Sequence, residues 1–175
     1  GDSGAGYVYT DTTSSGTWTL SQSFNGSSGL PGIDGADGLG ISVGIDNDGS
    51  GNLRIVAGAY FSDVWNDATG GANGTDQGAA YIFRDTSGST DGSNFVFEQA
   101  IQAESLNDRA GGDFFGRAVD IEGDYLVSVA ERDENGSFQD PGAAYVFVRD
   151  MAASHANIEI DDGAGAITSN AFLSF

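Results

Sequence analysis

Cysteine and lysine are both missing from this chain of 175 residues, and histidine occurs once, as His155. Without cysteine there is neither a disulfide nor a thiolate metal site. A single histidine leaves too little material for a His-based zinc centre or a Ser-His-Asp triad. With no lysine, six Arg stand against 26 acidic residues, giving a net charge of −20. Such a surface repels nucleic acid and anionic membranes and favours cations, and it suits a protein kept soluble in a salty or extracellular medium. Proline is scarce, at two, and no apolar run approaches the length that spans a bilayer. Glycine is abundant, at 28. Tyr, Phe, Val and Ile recur in strand-like runs, which excludes a generic disordered tail.

What is present most insistently is a repeated phrase. Gly78-Ala-Ala-Tyr-Ile-Phe-Arg-Asp85 and Gly142-Ala-Ala-Tyr-Val-Phe-Val-Arg149 are near copies, and Gly4-Ala-Gly-Tyr-Val-Tyr9 is a weaker third. The copies begin 74 and 64 residues apart, room for about four short strands per unit. Runs of aromatic and β-branched residues bounded by Gly, Asp, Asn and Ser mark those strands. They lie at Tyr7–Tyr9, at Trp18, Leu20, Gln22 and Phe24, at Gly40–Ile45 and at Leu53–Ala59. The series restarts at Ala80–Phe83, at Phe95, Phe97, Gln99 and Ile101, at Gly116–Ile121 and at Tyr125–Ala130. A third cycle opens with Ala144–Val148 and continues less regularly through Ile158–Ile160 and Ala171–Phe175. Apolar residues recur at period two rather than 3.6, so no long amphipathic helix is expected. The chain reads as one all-β repeat domain over 1–175, with units of approximately 4–77, 78–141 and 142–175.

The two full cycles differ in one hairpin. The second closes it with Glu122-Gly123-Asp124, whereas the first inserts Asp46-Asn-Asp-Gly-Ser-Gly-Asn52. Asp and Asn at alternate positions followed by Gly is the spacing that wraps oxygen ligands around Ca²⁺. Asp46, Asp48, Ser50 and Asn52 are therefore the candidate metal ligands.

Asp113-Phe-Phe-Gly116, Tyr125–Ala130 and Gly142–Phe147 in the second cycle, with Asp37-Gly-Leu-Gly40 and Val56-Ala-Gly-Ala59 in the first, follow one another in a fixed order. In these elements the chain resembles the FG-GAP repeat family, which includes the blades of integrin α-subunit β-propellers and many bacterial surface proteins. The resemblance covers roughly residues 4–150. It implies antiparallel four-stranded blades arranged radially, and calcium bound by the hairpin before the "GAP" strand. Ser50 stands where that family commonly carries an acidic ligand, and Arg54 where a closing Asp is expected. Propellers usually have four to eight blades, and this chain holds about two and a half to three. The first copy begins inside a unit and the chain opens on Gly1, a processed or trimmed start, so the chain is expected to be a partial propeller or to be completed by other chains.

The remaining candidates have plainer readings beside them. Asn25, Asn73 and Asn135 head Asn-x-Ser/Thr sequons in Gly-rich loops, of which chance supplies one or two. The carboxylates Asp161–Asp162 and Glu131, Asp133 and Glu134 fit solvated turns better than the cleft-spanning pair of a glycosidase. Gly70–Asp76 resembles a calcium-binding nonapeptide of β-helices but occurs once. Tyr60 and Trp65 flank an Asp-rich loop and offer a sugar or partner surface, with packing beneath the loop the simpler role. Trp18, Phe95 and Phe97, and the recurring Tyr7, Tyr81 and Tyr145, are expected to pack. Three functions follow: an extracellular or cell-surface adhesion or assembly module without catalysis, whose partner is a protein or a glycan; a structural subunit whose neighbours complete its sheets; and a carbohydrate-active propeller enzyme.

Overall fold

The computed structural model describes residues 4–11, 13–30, 33, 37–47, 51–63, 76–88, 92, 94–102, 112–133 and 142–149, with the backbone of 158–161 and 166–169. Its regular elements are strands, apart from one 3-10 turn at Gly26–Ser28. The first two strands, β1 (Ala5–Thr10) and β2 (Thr19–Asn25), pair as a hairpin. Next come β3 (Val43–Asn47), β4 (Leu53–Ala59), β5 (Ala79–Asp85) and β6 (Phe95–Ile101), which form a four-stranded antiparallel meander. A three-stranded meander follows, from β7 (Phe115–Glu122), β8 (Tyr125–Ala130) and β9 (Ala143–Val148). A final hairpin joins β10 (Ile158–Asp161) and β11 (Ala166–Ser169). The protein is all-β, with antiparallel, propeller-like blades.

The central sheet is covered on both faces. Tyr81, Phe83, Ala57 and Ala59 point to one side and pack with Phe24 and Val8 of the first sheet and with Leu39 of the turn that leads into β3. Val56, Ala80 and Ile82 point to the other and pack with Phe115, Ile121, Leu126 and Phe147 of the third. A strand buried on both faces should lose strict polar alternation, and Ala79–Phe83 is indeed apolar at every position. Asp11 and Asp85 end the same strand in successive copies, and each closes the turn that follows. Asp85 accepts the amides of Ser87 and Gly92, and Asp11 those of Thr13, Ser15 and Gly16.

The sheets are phased differently from the phrase. The phrase strands β5 and β9 are each the third of their sheet, so the period boundary at 78 falls between the paired strands β4 and β5. A blade in hydrogen-bonding terms is β3 to β6. Glycine explains a second shift. The strand expected from Gly40 starts at Val43, because Gly40 is left-handed (φ +88°) and turns the chain instead.

Two side-chain expectations are corrected. A β-bulge interrupts the β5–β6 register between Ile82 and Phe83, where Phe83 faces Phe97 but Ile82 faces Gln99. Phe95 and Ile101 therefore fill opposite cores, although period-two spacing places them on one face. Trp18 and Tyr7 are exposed and do not pack, because they lie on the outer face of β1–β2, which no described residue covers. The Ala171–Phe175 strand, Trp65, Asn73, Asn135, His155, Glu134, Asp162 and most of Gly70–Asp76 lie outside the described residues.

Candidate functional site

The feature that joins one sheet to the next is a glycine notch. Asp113-Phe-Phe-Gly116 sits at the entry to β7, with Phe114 and Gly116 both at positive φ (59° and 86°). A phenylalanine in that region costs energy that glycine escapes. The turn drives the Phe115–Gly116 backbone against the preceding sheet, where Gly78 forms an isolated parallel bridge to Phe115. A Cβ on Gly78 would lie 2.0 Å from the Phe115 carbonyl oxygen, and one on Gly58 would lie 1.9 Å from that of Gly116. The Phe115 amide donates to the Gln77 carbonyl at 2.9 Å, and the Gly116 amide to Ser128 Oγ at 3.1 Å. The same device occurs one unit earlier. Gly4 bridges to Leu39, within Asp37-Gly-Leu-Gly40, and its Cβ would lie 2.2 Å from the Leu39 carbonyl. In the copies at Gly4 and Gly78 the first glycine of the phrase is thus the docking point of the next sheet's entry turn.

Further ties cross the sheets. Gln22 of β2 bonds both backbone groups of Phe95, accepting from its amide at 2.8 Å and donating to its carbonyl at 2.6 Å. The recurring tyrosine is anchored from behind. Tyr81 Oη and Ser62 Oγ share a hydrogen bond at 2.8 Å, and Tyr145 Oη donates to Asp133 Oδ2 at the equivalent place. Burial pushes the Tyr81 phenol well up, so it stays protonated. Its role is packing, as expected. Asp133 has its partner in Tyr145 and is buried, so it is a structural acid inside the sheet junction and not the solvated turn residue expected.

The candidate metal loop leaves β3. Asp46 pairs across the hairpin with Arg54, and its Oδ2 accepts the Gly123 amide of the β7–β8 turn at 2.5 Å. That bond lowers the Asp46 pKa, with a smaller contribution from the Asn47 amide, so the group is firmly anionic. Asn47 Oδ1 accepts from Gly51 at 3.1 Å and closes the loop. Asp48 and Ser50 lie outside the described residues, while Asn52 directly precedes β4. Among the described residues no group of three or more His, Cys, Asp or Glu is placed to hold a metal. Arg54, where a closing Asp was expected, is buried and pairs with Glu98 at 3.5 Å, and Arg84 shares that carboxylate at 3.4 Å. The loop thus has a role the sequence does not announce: Asp46 fastens the central sheet to the turn of the next one.

Tyr60 is stacked. Its ring lies 3.9 Å from that of Phe61 and meets the edge of Phe114 at 5.7 Å, and Arg117 sits 4.9 Å above it. Sequence reading missed Arg117 and Arg132, two of six cations, which both stack on aromatic rings here. A cleft of about 260 Å³ opens between β1 and β3, lined by Val8, Tyr9, Val43, Ile45, Ile55 and Phe83 among others, and its lining carries no carboxylate.

Stacked antiparallel sheets joined by glycine-notched entry turns define a β-propeller-type repeat protein. Residues 99–147 match the FG-GAP repeat family, a stretch running from β6 to β9 that contains both the Asp113–Gly116 turn and the phrase at Gly142. No curated protein matches the chain.

Proposed function

We propose that residues 1–175 act as one non-enzymatic repeat module, extracellular or at the cell surface, working in adhesion or protein–protein assembly. Ca²⁺ held by Asp46, Asp48, Ser50 and Asn52 stiffens the 46–52 loop in this reading. The observation that carries it is the use made of the recurring residues: Gly78, Gly58, Tyr81 and Phe115 all serve sheet-to-sheet contact. FG-GAP repeat proteins generally mediate protein–protein interaction, and such repeats occur in extracellular and cell-surface proteins. Among the described residues no helix is long and apolar enough to cross a membrane. The apolar lining of the cleft at β1 and β3 supports association over glycoside hydrolysis, which needs two opposed carboxylates.

Cross-linking of the native material tests the association role. Links from Tyr7–Leu20 or from β8–β9 to another polypeptide are expected, and an absence of any such link contradicts it. The calcium component has its own test. Ca²⁺ should raise the melting temperature of the wild type and not of the Asp46→Ala, Asp48→Ala double variant, and a rise retained in the variant removes the loop from the account.

A further inference from the structure

Arginine is the only cation besides His155 in a chain with 26 acidic residues, so where each of the six Arg stands is informative. Arg54 and Arg84 share Glu98, and Arg149 pairs with Asp124 at 3.8 Å. Arg117 donates from Nε to Glu131 at 3.3 Å. Arg109 lies outside the described residues. Arg132 remains, exposed and, among the described residues, paired with no carboxylate.

Its surroundings depart from the repeat in two places. The Arg132 amide donates to the Asp113 carbonyl at 3.3 Å, as the Phe61 amide does to that of Asp37 at 3.2 Å, so Arg132 takes the place of Phe61. Phe114 likewise takes the place of Gly38, both being left-handed, at φ +59° and +69°. Glycine holds that conformation without strain and phenylalanine does not. The second copy therefore accepts backbone strain to place a ring here. Arg132 lies over that ring, 4.8 Å from its centroid. Phe61 and Tyr60 brace it edge-on at 5.3 and 5.7 Å. Strain kept at one copy of a repeat points to a use for the side chain that causes it.

Stacking also decides what the guanidinium can bind. Laid on a ring, it keeps its N–H groups around the rim as a pre-organised fork, which matches a carboxylate. Arg117 shows this chemistry next door: it lies 4.9 Å above Tyr60 and its Nε already carries Glu131. Arg132 offers the same arrangement to the outside. Tyr60 packs between Arg117 and Phe61, and Phe114 between Arg132 and two rings, which leaves little open ring face for a sugar to stack on. The site therefore favours a protein over a glycan.

We infer that Arg132, positioned by Phe114, is the docking point for a single carboxylate on a protein partner whose surrounding surface is basic. This rests on the association reading above and gives the chemistry of that partner. The net charge of −20 draws a basic surface toward the chain. One ion pair of inverted sense then fixes the register and discriminates against basic partners that lack the carboxylate. Arg132 is the binding residue, and Phe114 acts through it.

Two capped peptides, Lys-Lys-Glu-Lys-Lys and the same sequence with Gln for Glu, test this. Each is titrated into the 175-residue chain at low ionic strength, with the arginine Nε–Hε NMR signals as the readout. The wild type should bind the Glu peptide about three-fold more tightly than the Gln peptide, the size of an exposed ion pair, and the Arg132 signal should move. Arg132→Gln should bind the two peptides equally. Phe114→Gly keeps the cation and should still lose the preference, a readout that lost packing alone does not move. Equal affinities in the wild type, no saturable binding of the Glu peptide, or a preference that survives Arg132→Gln or Phe114→Gly overturns the inference. Cross-links in native material decide the association reading separately, so that reading can stand when this one fails.

Discussion

Substituting alanine for Gly78 adds one methyl group, and the structure dictates two separate penalties. Gly78 sits at φ +84°, where an L-residue loses about 1–2 kcal/mol. The new Cβ would also lie 2.0 Å from the Phe115 carbonyl oxygen and 2.6 Å from its amide nitrogen. Both atoms are backbone, so the third sheet must move away from the second, an overpacking cost of about 1–3 kcal/mol. The total is about 3 kcal/mol, or roughly 6–12 °C in Tm for a chain of this size. Gly88→Ala separates the terms. Gly88 has φ +73° and nothing within 4 Å of its Cβ position, so only the conformational part applies, about 1–2 kcal/mol. Gly142→Ala should fall between Gly88→Ala and Gly78→Ala, since its Cβ would lie 3.1 Å from the Glu131 carbonyl oxygen, tight but well short of the 2.0 Å clash at Gly78. Urea titrations followed by circular dichroism and by fluorescence provide the comparison, with coincident transitions checking two-state behaviour. A Gly78→Ala cost within about 0.5 kcal/mol of Gly88→Ala would refute the notch as an inter-sheet contact.

Position in the stack should govern the cost of trimming valine: Val56→Ala should lose about 2 kcal/mol by urea titration, and the equivalent Val127→Ala under about 0.5 kcal/mol in a monomeric sample. Glu98→Ala leaves the buried Arg54 without that carboxylate and should destabilise by about 3 kcal/mol, read in the same way. Asp46 is held below its ordinary value of 3.8 by the Gly123 amide. Its depressed folded pKa means the stabilisation is full above 3.8 and fades as pH falls through the folded value. The fall in Tm from pH 5 downward should therefore be shallower in Asp46→Asn than in the wild type, and parallel curves would disprove the clamp.

The strands were legible because their residues alternate and their breaks carry Gly, Asp and Asn. The phrase recurs, so the period was legible too. Its phase was not, because nothing in Gly-Ala-Ala-Tyr says whether that strand opens a sheet or sits third in one; only pairing partners decide. The bulge opposite Ile82 and Phe83 is silent in the sequence, since Phe95, Phe97, Gln99 and Ile101 keep unbroken period-two spacing across it. Tyr7 and Tyr81 share a phrase position and differ completely in exposure, because burial there comes from the adjoining sheet. Asp46 was legible as an acidic loop residue, but its bond to Gly123 spans 77 positions, beyond any local pattern. Recurrence of glycine at 4 and 78, each heading a copy of the phrase, was the available signal for the notch.

Native-state hydrogen exchange tests the central claim most directly, that the blade is β3 to β6 with both faces covered by its neighbours. The account predicts that the amides of β4 and β5 exchange slowest and open together as one unit, with β1–β2 and β9 opening at lower free energy. Protection that breaks between Ala59 and Ala79, with β4 opening independently of β5, would contradict it.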